Sequence, residues 1–479
     1  MTRRTLALLA LAGALACATN PATGRSEFML VSQDQEITIG RENDPQIVAS
    51  IGLYPDTALQ RYVQELGARI AAQSERPGLP WTFRVLDDPT VNAFAIPGGY
   101  IYITRGILAH LTSEAQLAAV LGHEIGHVTA RHSASQMSQQ QLAQLGLAVG
   151  SAVSEKFAQY ANVAGQGLGI LFLKYSRDDE SQADALGVRY LRRTKHDLRE
   201  MPGVFTMLAA VSEAAGQAGK VPDWLQTHPQ PADRSTHISR MIAEQPQDTV
   251  GLIVAKAAYT RRLDNVVYDL DPRAGYFVGT KFNHPTMRFT LTFPDGWATK
   301  NEASAVRGMS AEKDAAIQLT VAKEATAEAA YRAFAANEGV QAGTVARSTI
   351  NGLSTSGSAF GAVANGDTLR GAVLFVEHNS MVFELVGFAP QAGWAARQAA
   401  VERALRSFAV LTDRTALAVQ PQRLDIVTLD RRQSLAELLA RRPSPRTIEE
   451  LALINQVRQG EPLAAGTVVK WVVGPALPR

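Results

Sequence analysis

Two histidines four residues apart around a glutamate, His123-Glu124-Ile125-Gly126-His127, constrain this chain more than any bulk property does. On a helix, residues i and i+4 share a face, so both imidazoles can reach one ion at about 2.0–2.1 Å. The flanking residues supply the helix. Ser113 with Gln116 three residues later reads as a capping box, and Leu117, Val120, Leu121 and Val128 recur at helical spacing. Glu124 points away from the shared histidine face but stays close to the ion. There it can take a proton from a water that the metal acidifies to a pKa of about 7. These residue types in this pattern are the machinery of metal-assisted peptide hydrolysis.

A catalytic zinc takes three protein ligands and keeps one position open. The run Arg177-Asp-Asp-Glu180-Ser-Gln-Ala-Asp184 offers carboxylates on a second predicted helix. Glu180 and Asp184 share a face, and Ala183 is small enough for close packing. Glu180 is assigned as third ligand and Asp184 as the acceptor that fixes a ligand histidine's tautomer. On spacing alone, Asp178 and Asp179 remain rival ligands. His132, five residues beyond His127, lies off the ligand face and reads as structural or as support for a ligand. His110, His196, His237, His284 and His378 belong to no partner motif and read as surface or core.

Composition narrows the class. The 479 residues allow about three domains, and 46% hydrophobic residues allow large cores. One cysteine excludes a disulfide scaffold and any Cys-rich metal site. A formal charge of +2 is too balanced for a nucleic-acid-binding surface. Arg3 and Arg4, then the apolar run Leu6–Leu15, read as a signal peptide over residues 1–17, too short to span a bilayer. Leu15-Ala16-Cys17 resembles a bacterial lipobox, which implies a lipid anchor at Cys17 and a polar tether over 18–26. Ala18 lacks the aspartate of inner-membrane retention, so the expected place is the periplasmic side of the bacterial envelope, with the outer membrane favoured.

The remainder divides in three. Residues 27–260 are helix-rich, with apolar spacing of three and four in 59–70, 117–128 and 182–191. Trp81–Leu86 alternates, and Ala95–Thr104 reads as a strand pair about Pro97-Gly98-Gly99. Residues 283–412 change character: alternation in Met287–Phe293, strand candidates at 317–321, 371–376 and 382–386, and helices at 325–336 and 395–405 predict a small α+β domain. A compact module closes the chain over 420–476. The segment Leu142–Leu173, apolar and dotted with glycines, reads as packed core helices or as a lid over the cleft.

Three runs taken together carry a family resemblance: Val91-Asn-Ala-Phe-Ala-Ile-Pro-Gly-Gly-Tyr-Ile101, Leu117-Ala-Ala-Val-Leu-Gly-His-Glu-Ile-Gly-His-Val-Thr-Ala-Arg-His132 and Glu180-Ser-Gln-Ala-Asp184. Over roughly residues 27–245 the chain resembles the gluzincin family of HtpX, the CAAX prenyl proteases and the BepA-like lipoproteins. The resemblance implies an α+β fold with a mainly helical zincin-type metallopeptidase domain. It also implies one Zn2+ on His123, His127 and Glu180, with Glu124 as general base. Asn92, Ala93 and Phe94 would lie on an edge strand that pairs with an extended peptide. Thr227-His228-Pro-Gln-Pro-Ala-Asp-Arg234 is similar to the family's late His-Pro…Arg segment. That gives His228 a gating or oxyanion role and Arg234 a supporting one.

The middle domain vaguely resembles PsbP-type domains. The end of the chain (Leu435-Ala-Glu-Leu-Leu, Glu450-Leu-Ala-Leu-Ile-Asn455, Pro462–Trp471) resembles a divergent LysM unit, a βααβ fold that binds peptidoglycan. The resulting expectation is an exported zinc metalloendopeptidase acting on misfolded or unassembled envelope polypeptides. A chaperone-like assembly factor with minor proteolysis and a peptidoglycan hydrolase are the alternatives.

Overall fold

The computed structural model describes residues 17–147, 174–217, 224, 228, 234–364 and 367–476. The signal-peptide reading before Cys17 and the core-or-lid reading of 148–173 lie outside them. The chain forms two compact units. One comprises the described residues up to Val48, Gly52–Asp269 and Arg423–Val473, and the other is essentially Leu270–Gln422.

The first unit begins with a short ribbon, β1 (Cys17–Thr19) antiparallel to β2 (Ser26–Phe28), then α1 (Gln33–Ile51) and α2 (Thr57–Ala71). Asp56 caps α2 by accepting from the amides of Ala58 and Leu59. Next come β3 (Thr82–Leu86), β4 (Ala93–Ile96) and β5 (Tyr100–Thr104), a three-stranded sheet in the order β3-β5-β4. β3 runs parallel and β4 antiparallel to β5, so β4 is an edge. The β4–β5 turn needs its glycine. Gly98 has φ of 88°, and a Cβ there would lie 2.7 Å from the Glu36 carbonyl oxygen.

Helices α3 (Arg105–His110), α4 (Glu114–Thr129), α5 (His132–Leu147), α6 (Arg177–Arg193), α7 (Met201–Gln217) and α8 (Arg234–Glu244) complete this part. Ser113 caps α4 through the Gln116 amide, but the reciprocal arm of a capping box is not made. Gln116 Oε1 instead accepts from Thr112 N at 2.8 Å, and its amide pairs with Gln456 near the other end of the chain. Ser176 caps α6 with a full capping box closed by Asp179. α4 and α6 approach closely because glycines line the contact. A Cβ on Gly126 would meet the Ala183 carbonyl oxygen at 2.9 Å, so a larger residue would push Glu180 away from the histidines. The C-terminal end of α4 is pinned by the buried Arg76, which donates to the Val128 carbonyl at 2.9 Å and pairs with the buried Glu36 at 2.8 Å.

Residues 270–422 form an antiparallel, β-rich unit. An eight-stranded sheet is built around the long strands Leu353–Ala364, Asp367–His378 and Met381–Pro390, and a four-stranded sheet accompanies it. Helices Ala327–Ala335 and Trp394–Arg406 pack on the strands. This sheet is larger than the strand candidates foresee. The strand Leu353–Ala364 reads LSTSGSAFGAVA, with too few large apolar side chains to mark a period of two.

The last segment returns to the first unit as β6 (Arg423–Thr428), α9 (Leu435–Arg441), α10 (Ile448–Asn455) and β7 (Val468–Val473), with β6 and β7 antiparallel. Leu451, Ile454, Trp471 and Val472 are buried in the same apolar core as Leu66, Val85, Leu117 and Ile125. The fully buried Lys470 donates from Nζ to the carbonyls of Ala109 (2.7 Å) and Leu111 (2.6 Å), at the end of α3.

Candidate metal centre

α4 presents His123 and His127 on one face, with their Nε2 atoms 3.0 Å apart. α6 brings Glu180 to them: its Oε2 lies 3.5 Å from His123 Nε2, and its Oε1 lies 3.5 Å from His127 Nε2. His228 completes the group, with Nδ1 2.7 Å from Glu180 Oε1. Ligand atoms of these four buried residues all lie within 4.8 Å of one another. Asp178 and Asp179, the rivals on spacing, are outside this group. Asp179 closes the Ser176 cap through its Oδ2.

The surrounding charges hold the donors in place. Asp184 Oδ1 lies 2.9 Å from His123 Nδ1, an acceptor that keeps the proton on Nδ1 and leaves Nε2 free. Arg234, the first residue of α8, donates to both Asp184 oxygens at 2.6 and 2.8 Å, and its Nη1 lies 2.6 Å from Glu180 Oε2. Burial would raise the Glu180 pKa, but the His228, His127 and His123 side chains outweigh it and hold the carboxyl ionised. Burial also raises Asp184, and its bonds to His123 and Arg234 reverse the sign. Burial pushes His127 well below the ordinary imidazole value, into the neutral form that a metal requires.

Glu124 stands beside this group, with Oε1 3.9 Å from His228 Nε2. Its Oε2 is buried and has no hydrogen-bond partner among the described residues, and burial raises its pKa. Such an atom costs free energy unless something else meets it. Among the described residues, three carboxylates, Glu124, Glu180 and Asp184, surround the Arg234 guanidinium, so the donor set favours a cation. The residues fit a divalent metal with an adjacent water.

Ala93 on β4 lines an apolar pocket against Glu124, with Val120, Met201, Val204, Phe205 and Trp224. Of the predicted edge-strand residues, Asn92 bonds through its backbone to Thr104, and Phe94 stacks on Tyr102 with centroids 4.9 Å apart. Tyr175 carries no motif and escaped the sequence reading. Its ring stacks on His127 at 3.8 Å between centroids, and its hydroxyl pairs with Ser133.

Residues 57–242 match the model of Peptidase family M48. This segment is a family M48 peptidase domain. Beyond it, the chain is 32% identical over 224 residues to the Beta-barrel assembly-enhancing protease of Yersinia pestis, covering 45% of each chain. It is 30% identical over 253 residues to the Escherichia coli protein of that name, covering 50% of this chain and 51% of that one. It is 31% identical over 229 residues to the Mitochondrial metalloendopeptidase OMA1 of Schizosaccharomyces pombe, covering 47% of this chain and 66% of the other. The chain thus spans about half the length of the assembly-enhancing proteases it matches. Among solved structures, cyanobacterial PsbP from Synechocystis aligns at a TM-score of 0.23 and 10% identity, over 28% of this chain and 94% of that one, too low a score to assign a fold. The M48 domain holds every member of the metal cluster: His123, His127, Glu180 and His228.

Proposed function

We propose that this chain is an exported zinc metalloendopeptidase that hydrolyses peptide bonds of misfolded or unassembled polypeptides in the bacterial envelope. The observation that carries the reading is the buried, partnerless Oε2 of Glu124 beside four convergent metal donors. His123, His127 and Glu180 would hold the zinc, which when bound would supply the Lewis acidity that acidifies a water and polarises the scissile carbonyl. Glu124 takes the proton and passes it to the departing amine. Its raised pKa suits a group that must accept a proton and then release it. Asp184 and Arg234 keep His123 and Glu180 in the ligating orientation. His228, bonded through Nδ1 to Glu180, would act as a gate over the site.

An extended substrate adds to the free edge of β4 at Asn92, Ala93 and Phe94, and one of its apolar side chains enters the pocket beside Glu124. The similarity to Beta-barrel assembly-enhancing proteases supports a substrate among β-barrel proteins under assembly, and we place these in the envelope. None of the described helices is long and apolar enough to cross a membrane, and a lipid on Cys17 would tether the chain to the outer membrane. Replacing Cys17 with alanine should then release it from the membrane fraction, and retention there would refute the anchor. Peptidoglycan contact through 420–476 rests on the βααβ order alone, and failure of the chain to sediment with cell-wall sacculi would dismiss it.

The decisive pair is zinc content and cleavage of unfolded casein. Glu124→Gln should keep one zinc per chain and lose about 10²–10⁴-fold in rate. His228→Ala should cleave faster than wild type. Undiminished cleavage by Glu124→Gln would refute Glu124 as the base, and a Glu124→Gln chain that cleaves nothing yet fully complements a deletion would favour the assembly-factor alternative.

A further inference from the structure

The two ligand histidines of α4 are prepared in different ways. His123 meets a carboxylate directly, Asp184 at 2.9 Å. His127 meets another imidazole, its Nδ1 lying 2.9 Å from Nδ1 of His132. His132 is buried, and its Nε2 lies 2.7 Å from Gln182 Oε1 and 3.5 Å from Asp179 Oδ1. A carboxylate oxygen can only accept, so His132 carries its proton on Nε2, and its Nδ1 presents a lone pair. The one hydrogen between the two Nδ1 atoms therefore belongs to His127, whose Nε2 is left free to face His123 and Glu180.

The chain bends to bring this about. His132 is five residues from His127, and a continuous helix would carry it off that face. α4 ends at Thr129, and Arg131 takes φ of 63°, a left-handed conformation unusual for a residue other than glycine. Arg131 is held there by bonds to the buried Glu36 and to the Val31 carbonyl at 2.7 Å. The reversal starts α5 at His132 and folds its ring back beneath His127. Backbone strain of this kind persists where the surroundings over-determine it.

We propose that His132, oriented by Gln182 and Asp179, is a positioning residue that locks His127 in the Nδ1–H tautomer and thereby sets the affinity of the centre for zinc. The proposal rests on the zinc centre assigned above. It joins four residues into one device: Asp179 and Gln182 on α6, His132 on α5 and His127 on α4. α6 then serves both ligand histidines, through Asp184 for His123 and through the His132 relay for His127.

The test is zinc affinity of the full chain, measured by competition with a chromophoric chelator, beside the thermal melting of the metal-free protein. His132→Leu should weaken zinc binding about 10–100-fold, the usual cost of losing a ligand's outer partner. His132→Gln, whose amide oxygen can still accept from His127, should recover part of that loss. Gln182→Leu should weaken binding by less, because Asp179 remains. A second readout is independent of folding in the variants: long-range ¹H–¹⁵N spectra of ¹⁵N-histidine-labelled, metal-free wild type. They should show His127 protonated on Nδ1 and His132 on Nε2. Wild-type zinc affinity in a folded His132→Leu chain would overturn the relay, as would a spectrum with His127 protonated on Nε2. A wild-type chain that binds no zinc would instead bring down the metal centre itself. If His132→Leu does not fold, the wild-type spectrum decides.

Discussion

The two segments that follow the M48 domain in sequence behave differently. Residues 270–422 close their sheets over their own apolar clusters, around Phe289, Phe383 and Phe408 and around Tyr331 and Phe375. Residues 423–473 bury Trp471, Leu451 and Ile454 in the core that also holds α4, the helix of His123 and His127. They add buried polar ties that make sense only with a fixed partner: Lys470 on the end of α3, Gln456 on Gln116 and on the His110 carbonyl. The two ends of the excursion meet. Val267 and Arg423 form an antiparallel bridge, Asn265 N donates to the Leu424 carbonyl, and Leu424 N donates to the Val266 carbonyl. In physical terms the first unit is discontinuous in sequence, and the middle unit is an insertion between two of its segments that already bond to each other. Termini this close are what allow a domain to be inserted without disturbing its host.

The largest expected effect comes from removing the terminal segment. A chain truncated after Gln422 exposes one side of the α4 core and should lose both its protease-resistant peptidase unit and its zinc, as limited proteolysis and metal analysis would show. Zinc binding that survives the truncation would break the comparison. Trp471→Ala is the milder version. It empties a fully buried site and should cost the first unit about 3–5 kcal/mol in urea unfolding, while the middle unit's transition stays put.

Acid separates the units less cleanly. Burial lowers the His110 pKa to about 4, with the nearby Lys470 adding to the effect. The unfolded chain therefore takes up this proton first as pH falls. Stability is fully present above about pH 6.5 and declines toward pH 4, by at most about 3 kcal/mol. His284 of the middle unit is lowered to about 4 by the same cause, so both transitions should move in the same direction. His110→Gln keeps a donor for the Gly106 carbonyl and cannot titrate, and it should flatten only the first unit's slope. An unchanged slope in that variant would show that His110 is not the titrating group.

What the sequence made legible follows the range over which each signal acts. The pair His123 and His127 and the partners Glu180 and Asp184 lie at helical spacings, and local geometry suffices to place each pair on a face. The Gly98 turn is legible for the same reason. Arg131 marks the opposite limit: its left-handed turn is imposed by Glu36, nearly a hundred residues away, and nothing local announces that His132 returns to His127. Tyr175 is invisible for the same reason. Gln116 was legible as a cap partner but is claimed by Gln456, a contact across 340 residues. In the middle unit, the strand Leu353–Ala364 packs with small and polar residues, so periodicity had little apolar pattern to detect.

The smallest expected effect is also the sharpest test. Replacing Leu270–Gln422 with a short Gly-Ser loop joins backbones that are already paired, and the zinc content and casein cleavage of that spliced chain can be measured beside wild type. The discontinuous first unit predicts one zinc per chain and a cleavage rate within a few-fold of wild type, abolished by Glu124→Gln. A spliced chain that folds but holds no zinc would contradict it, because the middle unit would then be part of the centre.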